Sequence, residues 1–584
     1  MAIHNKAKNI KHNSTLGAWL ASLTLIAAPF VASHHAMADE TINDKKRSVN
    51  SNTVSQSFYG TLEPMAKRPI YFVVTDRFAD GDPTNNQLKQ GGQYPTFNQP
   101  LTHKGANNAN IGYMGGDFKG IANNADYIAK MGFGALWLTP IVQNPDQHFT
   151  GGVSVGEAMF TDKGKTGYHG YWGVNFFEVD EHWPSKDLNF KQLTQTLKKH
   201  NISTVLDIVA NHGSPSFTMP VKQPLFGQLY DKNGQLKADH QNLKPTDLDP
   251  KNPLHKWYHN QEDLAELSNI NEQNPEVLEY FVAAYLQWIE QGADAFRVDT
   301  IRHMPNSFWK AFSDRIRAKH PNFFMFGEHF SFEAKDIAQH TFAENGSISV
   351  LDFPGRKAMV DVFENNQSMT NLQSYLHLDD TIYNNPYELA TFYDNHDMAR
   401  INATDAGFIN LHNWLFTSRG IPVVYYGSEV GFMRGTKEHY GNRNFWGQKA
   451  IDQAKEHPIQ KALTMIANVR KKSIALQQGL QVDINYGQHH GVFLRVYQHE
   501  GVSSSALVLL NRSKESQVLS ADQFVQTGQW QNIVTGKTIT HAGGRLSIDV
   551  PANGFIVLQN TAPVTEPALV KHLCKLPRVE CPRS

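Results

Sequence analysis

The sequence has little cysteine and no excess of either charge. Its two cysteines, Cys574 and Cys581, both lie close to the carboxyl end. In an oxidising compartment we expect them to form a disulfide that constrains the C-terminal tail rather than a redox site. Lys and Arg number 54 against 55 Asp and Glu, a net charge of −1. No overall field would therefore attract nucleic acid or an anionic membrane, and a neutral ligand is expected.

Long apolar runs are also lacking, except for one near the amino terminus, from Leu16 to Ser33. Three lysines precede it and Ala36-Met37-Ala38 follows, which is the pattern of a signal peptide. The alternative is a membrane anchor, but the run contains Ser, Thr, Gly and Pro and is barely long enough to span a bilayer. We predict that residues 1–38 are removed and that the mature protein is secreted or periplasmic, without a membrane span.

The rest of the chain has the composition of a globular protein, with 40% hydrophobic and 19% charged residues over 584 positions. This length predicts two or three domains, and we expect a monomer. The predicted order is a flexible leader (39–62), a catalytic barrel (63–472) containing an inserted lobe (212–268), a C-terminal β domain (473–562) and a tail (563–584).

Short apolar runs alternate with longer amphipathic stretches through the predicted barrel. The eight candidate strands are Ile70–Thr75, Ala135–Thr139, Thr204–Val209, Asp294–Val298, Phe323–Phe326, Ile348–Asp352, Leu389–Tyr393 and Ile421–Tyr426. Helical patterns such as Pro275 to Gln291 separate them, which indicates parallel strands with helical crossovers. Eight such units predict a (β/α)8 barrel of the α/β class.

The distance between the third and fourth strands, from Asn211 to Asp294, is far longer than the rest of a barrel requires. The excess predicts an inserted lobe over the mouth of the barrel, where strand-to-helix loops carry function. After about residue 473 the pattern changes to short alternating strands, which predicts a separate antiparallel β-sandwich.

Four short sequence motifs lie at the ends of predicted strands. They are Asp207-Ile-Val-Ala-Asn-His212, Phe296-Arg-Val-Asp-Thr-Ile-Arg-His303, Phe326-Gly-Glu-His329 and Phe392-Tyr-Asp-Asn-His-Asp397. In order and content they resemble the four signature regions of the α-amylase family of glycoside hydrolases, and the resemblance extends to the lobe and the C-terminal β domain. It implies an enzyme that acts on α-glucan polysaccharides or oligosaccharides.

The resemblance implies that three acids carry the chemistry. Cleavage of an acetal with retention requires a carboxylate nucleophile and a carboxylic acid about 5 Å apart. By resemblance Asp299 is the nucleophile, Glu328 the general acid and base, and Asp397 a third carboxylate that favours the distorted transition state. Arg297 is two residues before Asp299, hence on the same face of a strand, where its guanidinium can orient the carboxylate.

Taken singly, each acid has an ordinary structural explanation, because Arg-x-Asp pairs form salt bridges and a Glu after Gly can cap a helix. Together these explanations would have to account for three acids and two histidines at one barrel mouth, and this coincidence favours an active site.

The resemblance also implies residues that bind sugar. His169, His212 and His396 would hydrogen-bond hydroxyl groups. Tyr171 resembles the family's stacking platform. Its neighbour Trp172 either joins it or packs in the core. Arg443 would help to bind the non-reducing end, although His439-Tyr-Gly stands where the family often has a partner Asp.

Two groups of oxygen-bearing residues resemble structural calcium sites of the family. The first consists of Asn211, Glu266 and the backbone of His303, where the family more often has Asp in place of Glu266. The second consists of Asp80, Asp82, Asn85, Asn86, Gly115 and Asp117, and resembles a loop of the cyclodextrin glucanotransferase branch. The alternative for the second group is an ordinary Asp-Gly and Asp-Pro turn.

Hydrolysis and glycosyl transfer remain to be separated. In the transferase branch an aromatic residue stands immediately before an Asp-Leu-Ala string, whereas this chain has Glu262 before Asp263. The additional C-terminal modules of that branch are also missing. These differences favour endo-acting hydrolysis of α-1,4 bonds, with transfer or cyclomaltodextrin processing as the alternative. A non-catalytic α-glucan binder is disfavoured because all three acids remain.

Overall fold

Eight parallel strands form the centre of the computed structural model, which describes residues 56–90, 98–100, 108–154 and 160–581. We label them β1 to β8: Ile70–Val73, Ala135–Leu138, Ser203–Ile208, Ala295–Val298, Phe324–Gly327, Ser349–Val350, Ala390–Phe392 and Ile421–Tyr425. They hydrogen-bond in the order β6-β5-β4-β3-β2-β1-β8-β7, and a parallel bridge from Leu351 to Ala390 joins the two ends. The predicted eight-stranded barrel is confirmed.

The barrel strands are nearly continuous apolar runs because helices cover the outer surface of the sheet. Every residue of β2 and of β8 is buried. The helix Phe190–Lys199 begins at a polar cap: the Asn189 side chain accepts a hydrogen bond from the Gln192 backbone amide, and the Gln192 side chain accepts one from the Asn189 backbone amide. The α-helices of the described residues are Thr75–Phe78, Phe118–Asn123, Ala125–Lys130, Phe190–Lys199, Pro275–Glu290, Asn306–Lys319, Ala334–Ala338, Phe353–Phe363, Asp405–Thr417, Gly447–Ala454, Pro458–Lys472, Ile474–Gln478 and Pro567–Leu573. None is long and apolar enough to cross a membrane.

The inserted lobe is built from two loops of the barrel. Strands Gln228–Tyr230 and Leu236–Asp239 come from the loop after β3, and they share a sheet with Val142–Gln143 and Asn175–Val179 from the loop after β2. A second pair joins His212–Pro215 to Leu267–Asn269. The lobe after the third strand is therefore present, and the strands Val142–Gln143 and Asn175–Val179, outside its predicted range, also belong to its sheet.

The C-terminal strands form two antiparallel sheets. We label them β9 to β16: Leu480–Tyr486, His490–His499, Val502–Asn511, Gln517–Ala521, Gly528–Asn532, Thr538–His541, Leu546–Val550 and Gly554–Asn560. Six of them pair in the order β9-β10-β11-β16-β13-β14, while β12 pairs with β15. The predicted antiparallel β domain is confirmed. The two remaining strands of the described chain, Asn98–Pro100 and Asn108–Asn110, form a separate pair.

Two terminal segments contain more structure than the sequence predicted. The predicted signal peptide and residues 39–55 of the leader lie outside the described residues. However, Phe58 is buried and pairs with Gln498 of β10, and the Thr61 hydroxyl donates to Glu388. A flexible leader extending to residue 62 is therefore wrong for its last residues. In the tail, Leu569 and Leu573 of a short helix are buried, and Cys574 forms a disulfide with Cys581.

Candidate active site

The catalytic candidates lie where the barrel strands end. Asp299 and Glu328 directly follow β4 and β5, and each is fixed by a backbone hydrogen bond to the neighbouring strand. The amide of Asp299 donates to the Ile208 carbonyl at 2.8 Å, and that of Glu328 donates to the Val298 carbonyl at 2.8 Å. Side chains at the carboxyl ends of parallel barrel strands converge on one mouth. Asp397, beyond the end of β7, lines the same cavity as these two acids.

The Arg297 side chain contacts three carboxyl groups at the base of the site. It is fully buried, and one guanidinium nitrogen contacts Asp207 at 2.8 Å and Asp299 at 2.7 Å. The other nitrogen lies 2.6 Å from a carboxylate oxygen of Glu328. The strand register brings Arg297 opposite Asp207. A single rigid cation therefore fixes the relative positions of the two principal acids.

Asp207 belongs to the first signature string but received no role from the sequence. Its carboxylate accepts hydrogen bonds from Trp137 Nε1 at 2.9 Å and from the Tyr171 hydroxyl at 2.7 Å, in addition to Arg297. Burial raises the pKa of Asp207 to about 7, although Arg297 opposes this shift. The residue anchors the floor of the site without lining the cavity.

Glu328 has an environment suited to holding a proton. Burial raises the pKa of its carboxyl to about 8, against the lowering effect of Arg297, and the negative charges of Asp397 and Asp299 add to the increase. A carboxyl group with such a pKa is largely protonated at neutral pH and can act as an acid.

Asp397 is held by Arg443, whose Nη2 lies 2.7 Å from its carboxylate. The other end of the Arg443 guanidinium lies 2.9 Å from Glu438, which also contacts Lys165 at 3.0 Å. Although burial acts in the opposite direction, Arg443, His439 and Lys165 lower the pKa of Glu438 to about 2. The acidic partner of Arg443 in this loop is therefore Glu438, which immediately precedes His439-Tyr-Gly.

The three predicted histidines surround the acids in their neutral form. Burial lowers the pKa of His169 and of His396 well below the usual value, and that of His212 is also lowered. His212 Nε2 lies 4.0 Å from Asp299. His169 Nε2 and His212 Nδ1 are buried without a hydrogen-bond partner among the described residues, and both residues border the cavity.

The two predicted aromatic residues play different structural parts. The Tyr171 ring stacks on His396 with centroids 5.2 Å apart. Trp172 is 1% exposed and packs edge to face against Phe149 and Phe226 in the core of the lobe, so core packing accounts for most of its surface. Both residues also border the cavity of about 310 Å³ that contains the three acids.

The first predicted calcium group does not assemble as expected. Asn211 Nδ2 donates to Asp263 at 2.9 Å, and His303 Nδ1 lies 3.0 Å from the same carboxylate. Glu266 instead accepts a hydrogen bond from the Thr161 hydroxyl. Asp263 rather than Glu266 therefore joins Asn211 and His303. The sequence was misleading because Asp263 and Glu266 are both acids of one short loop.

The second predicted calcium group does assemble. Asp117 accepts hydrogen bonds from the backbone of Gly81 and Asp82, and Asn86 donates to Asp80 at 2.8 Å. The amide oxygens of Asn85 and Asn86 are buried without a hydrogen-bond partner among the described residues. Gly115 has φ +92°, and an added Cβ would lie 2.5 Å from Asn86 Oδ1. Converging carboxylate and amide oxygens fit a calcium ion.

Several residues of the cavity wall received no role from the sequence, among them Lys165, Leu264 and Glu438. A single lysine in the loop after β2 does not indicate a binding site in the sequence. Its role depends on contact with Glu438, which lies in a loop far away in the chain. In the transferase branch the residue before the Asp-Leu-Ala motif is aromatic. Here that residue is Glu262, which is exposed and does not border the cavity, whereas Leu264 of the same motif does.

A (β/α)8 barrel whose mouth contains three acids, one bridging arginine and neutral histidines defines an enzyme that acts on glycosidic bonds. The chain belongs to the α-amylase family, since residues 72–471 match the family model described as alpha amylase, catalytic domain.

The chain resembles the cyclomaltodextrin glucanotransferase branch of this family. It is 27% identical over 563 residues to the cyclomaltodextrin glucanotransferase of Klebsiella oxytoca, covering 87% of this chain and 80% of that protein. The enzyme of the same name from Thermoanaerobacterium thermosulfurigenes is 30% identical over 512 residues, covering 83% and 65%.

Solved structures include both activities. CldA, described as the first cyclomaltodextrin glucanotransferase with a three-domain ABC distribution, superposes with a TM-score of 0.68 at 25% identity, covering 85% of this chain and 99% of that one. An Anoxybacillus α-amylase superposes with a TM-score of 0.66 at 25% identity, covering 86% and 99%. The similarity establishes action on α-glucans and does not separate hydrolysis from transfer.

Proposed function

We propose that the chain is an exported, retaining, endo-acting α-1,4-glucan hydrolase that cleaves starch, glycogen or maltodextrins through a covalent glycosyl-enzyme. The observation that carries this proposal is the contact of one guanidinium, that of Arg297, with both Asp299 and Glu328. This contact holds the two carboxyl groups close together, as the retaining mechanism requires at about 5 Å. Export is inferred from residues 1–38.

In the first step the Asp299 carboxylate attacks the anomeric carbon of the bound glucan. The glycosidic bond breaks, and Glu328 gives its proton to the departing oxygen. The buried Arg297 keeps the attacking carboxylate oriented, and the raised pKa of Glu328 keeps the proton available at neutral pH.

In the second step Glu328, now a carboxylate, removes a proton from water. The water oxygen attacks the anomeric carbon and releases the Asp299 carboxylate, so two inversions give net retention. Asp397 and the neutral histidines would hydrogen-bond the sugar hydroxyls and favour the distorted ring of the transition state. Their neutrality suits a substrate without charge.

Hydrolysis is favoured over transfer by the wall of the cavity. In the loop that carries the Asp-Leu-Ala string, Leu264 borders the cavity and Glu262 is exposed, so this loop supplies no aromatic platform to hold an acceptor sugar. Transfer is the second candidate, because the Klebsiella oxytoca and Thermoanaerobacterium thermosulfurigenes relatives are named as transferases.

Calcium would have a structural role at the Asp80–Asp117 loop. Asp80, Asp82, Asn85, Asn86, Gly115 and Asp117 would hold it, and its charge would offset the acids gathered there. The Asn211–Asp263–His303 group joins barrel and lobe through direct hydrogen bonds, and we do not assign an ion to it.

Product analysis separates these functions. The mature protein incubated with soluble starch and with maltoheptaose is expected to release short linear oligosaccharides, while Asp299→Asn nearly abolishes release. Cyclic or elongated products would identify a transferase. A wild-type protein that binds starch without any product would identify a non-catalytic binder.

A further inference from the structure

Two phenylalanines stand out on the surface beside the active site. Phe330 is 47% exposed and Phe332 is 37% exposed. No other phenylalanine, tyrosine or tryptophan among the described residues is exposed to this extent. Exposing apolar rings costs free energy, so a paired exposure next to a catalytic acid indicates a binding surface.

The two rings form a fixed ridge. Their centroids are 5.7 Å apart, and both contact the buried ring of Phe353, at 5.1 Å from Phe330 and 6.2 Å from Phe332. Phe353 begins the helix Phe353–Phe363 after β6. Because the rings rest on this buried support, they are held in place for a ligand rather than ordered by it.

The ridge separates two cavities. Phe330 borders the cavity that contains Glu328, and Phe332 borders a second cavity of about 630 Å³. The wall of the second cavity includes the polar side chains of Gln367, Asn371 and Ser374. Apolar rings beside amide and hydroxyl groups match a sugar, which presents both C–H faces and hydroxyl groups.

The position of Glu328 indicates which half of the substrate this surface would contact. The general acid protonates the departing oxygen, so the leaving half of the substrate lies on its side of the cavity. Phe330 and Phe332 follow Glu328 by two and four residues on the same loop. We propose that Phe332 and the second cavity bind the leaving-group half of a long α-1,4-glucan, several sugar units beyond the cleaved bond. This inference rests on the proposed function.

Substrates of different length test the proposal. Phe332→Ala is expected to lower kcat/KM for maltoheptaose about fivefold, mainly through KM, because the contribution of one packed ring is about 1 kcal/mol. The rate on 4-nitrophenyl α-maltoside should be unchanged, since its leaving group is a single ring beside Glu328. Phe332→Trp should restore the maltoheptaose value, and Met465→Ala, at another exposed apolar side chain, should change neither substrate.

Two outcomes would overturn the inference: no loss with maltoheptaose, or an equal loss with both substrates. Calorimetric titration of maltoheptaose into the Asp299→Asn protein, with and without Phe332→Ala, gives the same comparison without catalysis. An inactive wild type whose maltoheptaose affinity still depends on Phe332 would refute the proposed function and keep the binding surface.

Discussion

Glu438 and Arg443 form a buried ion pair of 2.9 Å in the wall of the cavity that contains the three acids. Because Arg443 also lies 2.7 Å from Asp397, the loop after β8 supports the third acid through this arginine. Lys165 extends the network to the loop after β2, so the ion pairs join two loops that are far apart in sequence.

We predict that Glu438→Gln destabilises the protein and lowers its activity. Removing the carboxylate leaves Lys165 without its ion-pair partner, and an uncompensated buried charge costs about 3 kcal/mol. Arg443 keeps Asp397 but loses a contact that orients it towards that acid. Urea unfolding and kcat/KM on maltoheptaose measure the two effects. Glu262→Gln, at an exposed acid of the lobe, is the matched control. Equal unfolding midpoints for Glu438→Gln and wild type would show that the pair does not stabilise the fold.

The pH dependence of activity should report Glu328. The general acid must carry a proton, and its pKa is raised to about 8. We therefore expect kcat/KM to fall on the alkaline side, with a midpoint near this value. A pH–rate profile on a neutral oligosaccharide measures it. An alkaline limb that begins near pH 5, as for an ordinary carboxyl group, would contradict the assignment.

Glu328→Gln should remove activity while changing how stability depends on pH. A carboxyl group whose pKa rises on folding contributes stability that is fully present below its unfolded pKa and is lost as pH rises through the folded value, here from about 4.3 to about 8. Glutamine does not titrate. The Tm of the variant relative to wild type should therefore be higher at pH 8 than at pH 5. A constant difference between these pH values would show that the Glu328 pKa is not raised by folding.

Calcium removal should lower the Tm, because an ion that binds only the folded state stabilises it. Asp80→Asn is expected to weaken calcium binding about tenfold, since it replaces a carboxylate ligand by an amide. Calorimetric titration of the chelated protein gives the affinity. Glu266→Gln, which alters the acid that does not join Asn211 and His303, should leave it unchanged. A Tm that is insensitive to chelation would refute the calcium proposal.

The sequence predicted the barrel because each strand is a short apolar run with turn signals at both ends. In the structure, Asp299 and Glu328 are the first residues after their strands. The sequence also predicted the residues that share a face, as for Arg297 and Asp299, since strand periodicity is local. It could not predict which distant loops meet. The contact of Lys165 with Glu438, the choice of Asp263 over Glu266 and the contribution of residues 142–179 to the lobe all depend on tertiary packing.

The most direct test of the account is the configuration of the newly formed anomeric centre. Proton NMR recorded during the first minutes of maltoheptaose cleavage distinguishes α from β products before they equilibrate in solution. Retention through Asp299 and Glu328 predicts α-anomeric products that accumulate first, and their loss in Asp299→Asn. Initial release of β-anomers, or undiminished cleavage by Asp299→Asn, would contradict the account.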